Sequence, residues 1–202
     1  MNKFFTTVLV LLAVSTAAFS QSKGKTEFGV NVGLNFANVT ASGMTNDAYR
    51  TGFNLGVSAD HYFSDSWSLK VKAAYDQKGW DNGYINTGGG NIITNYNVDY
   101  LTIPVLANWH FGGTKNWYLN FGPYVGILLN AKESAGGMDL KPIFTSADFG
   151  ADLGIGVKFP VAEKAKLFIE LNGQAGINDV FKNNTGTTVR NTVSAINVGI
   201  NF

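Results

Sequence analysis

The sequence predicts an all-β fold, an eight-stranded antiparallel up-and-down transmembrane β-barrel. Three observations predict it. From Thr26 onward, eight stretches alternate apolar and polar residues with period two, and almost no helical period of 3.6 is present. Short and long connections take turns between these stretches. Aromatic residues gather near both ends of the stretches, on the apolar parity.

The chain has 202 residues, about one domain's length. It opens with a targeting layout: Met1, Asn2 and Lys3, then an apolar run around Val8–Leu12, then small residues at Ala17, Ala18 and Ser20. The run is shorter than the roughly 20 residues a spanning helix needs. Residues 1–20 therefore read as a cleaved signal peptide and residues 21–202 as a barrel domain. Lys plus Arg is 15 and Asp plus Glu is 14, so the net charge of +1 gives no basis for a nucleic-acid partner. Without cysteine there is no disulfide, no thiol for a lipid anchor and no cysteine metal site.

The elements follow in order. Phe28, Val30, Val32, Leu34 and Phe36 form the first apolar row, with Asn31, Gly33 and Asn35 between them. A long polar connection, Asn38 to Tyr49, leads to Phe53, Leu55, Val57 and Ala59, ending near Phe63. The short turn Ser64-Asp65-Ser66 leads to Trp67, Leu69, Val71, Ala73 and Tyr75. Gly79 to Asn95 reads as a long loop before Leu101, Ile103, Val105, Ala107 and Trp109. Gly112 to Asn116 turns into Trp117, Leu119, Phe121, Pro123, Val125, Ile127 and Leu129. The long segment Ala131 to Ala147 precedes Phe149, Ala151, Leu153, Ile155, Val157 and Phe159. Pro160 to Lys164 reads as a short turn into Leu167, Ile169, Leu171, Gly173, Ala175 and Ile177. After Asn178 to Asn191, Ser194, Ile196, Val198, Ile200 and Phe202 complete the set.

A soluble barrel would point the apolar rows inward, and a membrane barrel would point them at lipid. The polar parity decides. It is mostly Gly, Asn and Ser, whereas a water-facing exterior carries many more Lys and Glu. Only 14% of the residues are charged, against about 25% in ordinary soluble domains. The aromatics form two girdles. Phe28, Phe63, Trp67, Trp109, Trp117, Phe159 and Phe202 lie on the turn side, and Phe36, Phe53, Tyr75 and Phe149 on the loop side. Nine residues separate the girdles, counted inclusively from Phe28 to Phe36. At a tilt near 45° these rise about 21 Å, close to the roughly 25 Å apolar band of such barrels. A sheet in lipid must close on itself, which places Phe202 beside Phe28.

"DYLTIPVLANWHF" (99–111), "WYLNFGPYVGILLNAK" (117–132) and "ADFGADLGIGVKF" (147–159) resemble strands four, five and six of the PorT-like outer-membrane β-barrel family of Bacteroidetes. The likeness spans roughly Thr26 to Phe202. It implies a Gram-negative outer-membrane location with chain ends and short turns in the periplasm and four long loops outside. The terminal aromatic strand is similar to the signal that the outer-membrane assembly machinery reads. The family's founding member is tied to secretion, which implies secretion-system proteins as possible partners beside outer-membrane lipid.

Parity sends Asp60, Asp76, Asp152, Glu170, Lys70, Lys72, Lys78 and Lys158 into the lumen, with Asp60 opposite Lys70. The expected outcome is a packed polar plug, because an eight-stranded bore is just wide enough for side chains. An ion path is the alternative. If Trp109 faces Trp117, Pro104 faces Gly122 and Pro123 faces Ile103, so one ladder defect is expected between strands four and five. Catalysis would need a base, and only His61 and His110 are present, both near short turns. Ser64 and Ser66 read as turn residues, Gly88-Gly89-Gly90 as a plain loop, and Glu133, Asp139 and Asp148 match no calcium-loop spacing. No catalytic, cofactor-binding or metal residue is named and no cofactor is expected. The function expected is a structural or interaction barrel acting through its outer loops, to which the resemblance adds a role accessory to secretion. A small passive channel is the alternative, and a lipid-modifying enzyme is less favoured.

Overall fold

The computed structural model describes residues 23–41, 48–86 and 90–202. The expected signal peptide lies outside these residues. Eight strands form one closed ring in chain order: β1 (Thr26–Thr40), β2 (Arg50–Tyr62), β3 (Trp67–Asn86), β4 (Asn91–Phe111), β5 (Trp117–Glu133), β6 (Ala147–Ala162), β7 (Ala165–Gly176) and β8 (Arg190–Asn201). Each neighbouring pair is antiparallel, as an up-and-down meander requires.

The alternation falls the way the sequence predicts. Val32, Leu55, Val57, Leu153 and Leu171 are each more than half exposed, while Asn35, Asn54, Asn108, Asn120 and Lys158 are buried. This inversion of an ordinary core is stable only when lipid covers the outer wall. Trp67 stacks on Trp109 at 6.2 Å and Phe111 on Trp117 at 6.5 Å in the turn-side girdle. Phe53 meets Tyr75 at 5.6 Å in the other.

The seam closes at the aromatic pair. The Phe28 N–H donates to the Phe202 carbonyl at 2.9 Å, and the Phe202 N–H to the Phe28 carbonyl at 2.8 Å. No edge is then left to lipid along this seam, where each unpaired backbone group would cost several kcal/mol.

Three expectations need correction. The segment Gly79–Asn95 is not a long loop. It continues β3 and β4 as a paired hairpin, with Gly79↔Asn97, Trp80↔Tyr96, Tyr84↔Ile93 and Asn86↔Asn91. A bulge between Trp80 and Gly83, with Asn82 in the left-handed region at φ 55°, resets the alternation and hides it from a period-two reading. Trp80 then stacks on Tyr96 at 4.2 Å.

The turn assigned to Pro160–Lys164 shrinks to Glu163-Lys164. Pro160 pairs with Lys166 and Ala162 with Ala165, with an irregularity between them that absorbs the proline.

The β4–β5 register is two residues from that expected. Phe111, not Trp109, faces Trp117, so Pro104 pairs with Tyr124. The gap expected between β4 and β5 is present and has a counterpart between β3 and β4, and the β4–β5 ladder also shifts register between Asp99 and Tyr100. The β3–β4 ladder skips from Val71↔Val105 to Ala74↔Thr102, and the β4–β5 ladder from Pro104↔Tyr124 to Ala107↔Phe121. Each proline lacks one donor, so each opens the ladder on one side only. Gly122 lets the strands stay close there, since a Cβ would lie 2.1 Å from the Val105 carbonyl.

Candidate functional site: the lumen and its outer mouth

The inward parity stacks polar side chains along the bore. At the turn-side end, Lys158 Nζ donates to Glu27 Oε2 and to the Tyr62 hydroxyl, both at 2.7 Å. Lys166 Nζ donates to Glu27 Oε1 at 2.6 Å. Asp60 lies 3.6 Å from Lys158 and accepts from Asn108 Nδ2 at 2.9 Å. The register does pair Asp60 with Lys70, but the lysine turns to Glu170 at 3.4 Å. Its ammonium also sits 4.9 Å from the Tyr118 ring centre, a cation–π contact.

Midway, amides dominate. Asn54 Nδ2 donates to Asn35 Oδ1 at 2.7 Å and to Asn197 Oδ1 at 2.9 Å. Asn172 donates to Asp152 at 2.7 Å, and Asn35 to Asp76 at 3.0 Å. Lys72, only half-buried, borders a cavity of about 10 Å³ together with Asp76, Asp152, Thr102 and Gln174. That is room for about one water. Thr102 Oγ1 and Gln174 Oε1 have no hydrogen-bond partner among the described residues, so a water there would satisfy them.

Toward the outer end, Lys78 Nζ donates to Asp148 Oδ2 at 3.1 Å, and the Tyr124 hydroxyl donates to the same oxygen at 3.0 Å. Above this pair the chemistry changes. Val98, Leu140, Phe144, Val180 and Val189 join Trp80 and Tyr96 in a buried apolar cluster. Phe144 meets Phe181 edge-on at 5.0 Å. The third and fourth outer connections are therefore not open polar loops. They fold inward and cap the mouth, because their few large apolar residues can leave water only there.

Glu133 pins the third connection. Its carboxylate accepts from the backbone N–H groups of Ala135 and Gly136 at 2.7 Å, of Met138 at 2.9 Å, and from Thr94 Oγ1 at 2.8 Å. It lies beyond the apolar band, which ends near Leu129. These donors, the Met138 N–H foremost, hold its pKa at about 2.

The sequence-derived candidates are now placed. Glu133, Asp139 and Asp148 do not converge: Asp148 is in the lumen, Glu133 holds its loop, and Asp139 accepts from the Lys141 N–H at 3.0 Å. His61 is exposed on the lipid side, with Nδ1 3.0 Å from Thr26 Oγ1. His110 is buried in the lumen, where Ser68 Oγ at 3.1 Å and Asp60 Oδ2 at 3.9 Å both approach the same nitrogen, Nε2. A relay needs the two partners on opposite ring nitrogens, so this trio cannot pass a proton from serine to carboxylate. Sequence reasoning missed Glu27 and Asp148 as lumen acids. Each sits one residue before an assigned apolar row, on the polar parity, so extending the alternation by one position finds both.

Comparisons agree with this architecture. The family described as outer membrane protein beta-barrel domain matches residues 19–182. The chain is similar in structure to Ail, the attachment invasion locus protein of Yersinia pestis, with TM-score 0.51 and 16% identity over 89% of this chain and 99% of Ail. It is also similar to Neisserial surface protein A, with TM-score 0.51 and 18% identity over 86% and 95% of the two chains. The outer membrane protein OprG of Pseudomonas aeruginosa gives TM-score 0.50 and 14% identity over 91% and 99%. At these identities the likeness shows the fold alone. Among curated proteins none matches.

Proposed function

The chain belongs to the outer membrane protein beta-barrel domain family, which places it in the outer membrane of a Gram-negative bacterium, and from that premise we propose that it is a closed, non-catalytic barrel that engages a partner. One observation carries the reading. The bore is filled by buried ion pairs, from Glu27–Lys158 to Lys78–Asp148, and is capped by the Leu140–Phe144–Val180 cluster. A filled eight-stranded bore leaves no continuous water path. What remains accessible is the outer surface, where the β3–β4 hairpin presents Tyr84, Ile92 and Ile93 to solvent. Large exposed apolar residues that neither lipid nor core covers suit a protein contact.

Service to a secretion machine, as the PorT-like resemblance implies, is the specific form of this proposal. Recognition by the assembly machinery through β8 belongs to the same reading. Gentle detergent extraction followed by sizing and identification of co-migrating proteins tests it. Migration with secretion or assembly components supports the accessory role. A lone monomer-sized barrel removes it and turns attention to what binds the outer loops.

A passive channel is the second reading; the one-water cavity beside Lys72 and Asp152 is the polar gap that such a path would have to widen. Steady single-channel conductance in a planar bilayer would replace the closed-barrel reading with this one.

A further inference from the structure

The lipid-facing wall carries a trough. The register aligns Leu119, Ile155, Leu171 and Ile196 in one row across β5, β6, β7 and β8. The next row runs Leu153, Gly173, Ser194 and Phe36 across β6, β7, β8 and β1. Gly173 and Ser194 are the small members, and beyond them Ala151, Ala175 and Thr192 keep the following row low. The walls between are aliphatic, and the groove encloses about 540 Å³.

We infer that this trough seats one acyl chain of an outer-leaflet lipid. The inference rests on the outer-membrane placement and not on the closed-bore reading. Position argues for it first. The trough begins at Phe36 in the loop-side girdle and descends to Leu119, two residues from Trp117 of the turn-side girdle. A lipid anchored in the outer leaflet would enter from the Phe36 end. There the Ser194 hydroxyl stands at the height of the lipid's ester carbonyls and can donate to one. Shape argues next. The trough crosses about four interstrand spacings, roughly 19 Å. That is a length and cross-section for one flexible hydrocarbon chain. A second barrel is convex and would touch this wall along a line, leaving the trough unfilled.

The test uses the folded barrel in vesicles containing lipopolysaccharide with a diazirine in one acyl chain. After photolysis, adducts are mapped by mass spectrometry. Labelling at Leu153, Leu171 and Ile196 is expected to exceed that at Val32, Val57 and Val71 at least fivefold. Gly173→Leu fills the trough, and a Cβ there meets only the Leu153 carbonyl, at 3.9 Å, so the fold accommodates it. This variant should keep the folded gel mobility and lose the enrichment. Even labelling around the barrel would overturn the inference. So would enrichment from a diazirine phosphatidylethanolamine but not from lipopolysaccharide, or protein–protein crosslinks centred on Gly173.

Discussion

Replacing Lys158 by Met tests whether the buried charges hold the barrel as a coupled network. Lys158 is fully enclosed, with Glu27 and Tyr62 at 2.7 Å and Asp60 at 3.6 Å. Methionine fills much of the same volume but leaves two carboxylates without their shared cation. Breaking one side of a buried ion pair costs about 3–5 kcal/mol. Here Glu27 keeps Lys166 at 2.6 Å and Asp60 keeps Asn108 at 2.9 Å, which puts the loss near the lower end. A loss of about 3 kcal/mol lowers the folding equilibrium constant roughly a hundredfold. Urea titration in lipid vesicles, followed by tryptophan emission and by the mobility of folded and unfolded bands, measures it. Combining Lys158→Met with Glu27→Gln removes both charges, and the double variant should recover at least about 1 kcal/mol relative to the sum of the single losses. A single-variant loss below about 1 kcal/mol, or strict additivity, would refute the network.

Further outcomes follow from other parts of the wall. Val57→Lys puts a charge midway between the girdles on the lipid face and should cost about 2–4 kcal/mol in vesicles; a neutral result would mean that this face meets water. Gly79→Ala should destabilise by about 1–3 kcal/mol, because φ is 111° and a Cβ would lie 1.9 Å from the Tyr96 carbonyl. Gly113→Ala, with open space around its Cβ, should be close to neutral in the same titration. The Glu133 carboxylate has its pKa lowered to about 2 from an ordinary 4.5, so its hold on the third connection is complete above about pH 4.5 and fades as pH falls toward 2. Hydrogen-exchange protection of the Gly136 and Met138 amides should decline across that window, and unchanged protection at pH 2 would sink the assignment.

The membrane-crossing half of this fold was legible because lipid outside and side chains inside impose one strict alternation on every strand. Phe28–Phe36 and Trp67–Tyr75 needed nothing else. The hairpin beyond Tyr75 was not legible, because the Asn82 bulge shifts the parity and a period-two reading breaks there. The β4–β5 register escaped because the turn aromatics Trp109 and Phe111 are both plausible partners for Trp117; the backbone selects the second. The inward charges were legible as a set, yet their pairing was not. A lysine on a closed bore reaches several strands, so Lys70 passes over its register partner Asp60 for Glu170, four strand steps round on β7, directly across the lumen. The apolar cap was hidden for a related reason. Leu140, Phe144 and Val180 are isolated in polar segments, and only closure of the ring brings them together.

The seam between β1 and β8 has a kinetic meaning. Gly29 pairs with Asn201, 172 positions along the chain, so the ladder that completes the ring joins its most distant parts. Such contacts are slow, since nearly all the chain's freedom must be surrendered before they form. Until they do, an incomplete sheet offers two raw edges, and hydrocarbon cannot solvate either. Insertion and closure are therefore one event for this chain. A barrel missing only β8 would not be seven-eighths stable; it would have no resting place in the bilayer.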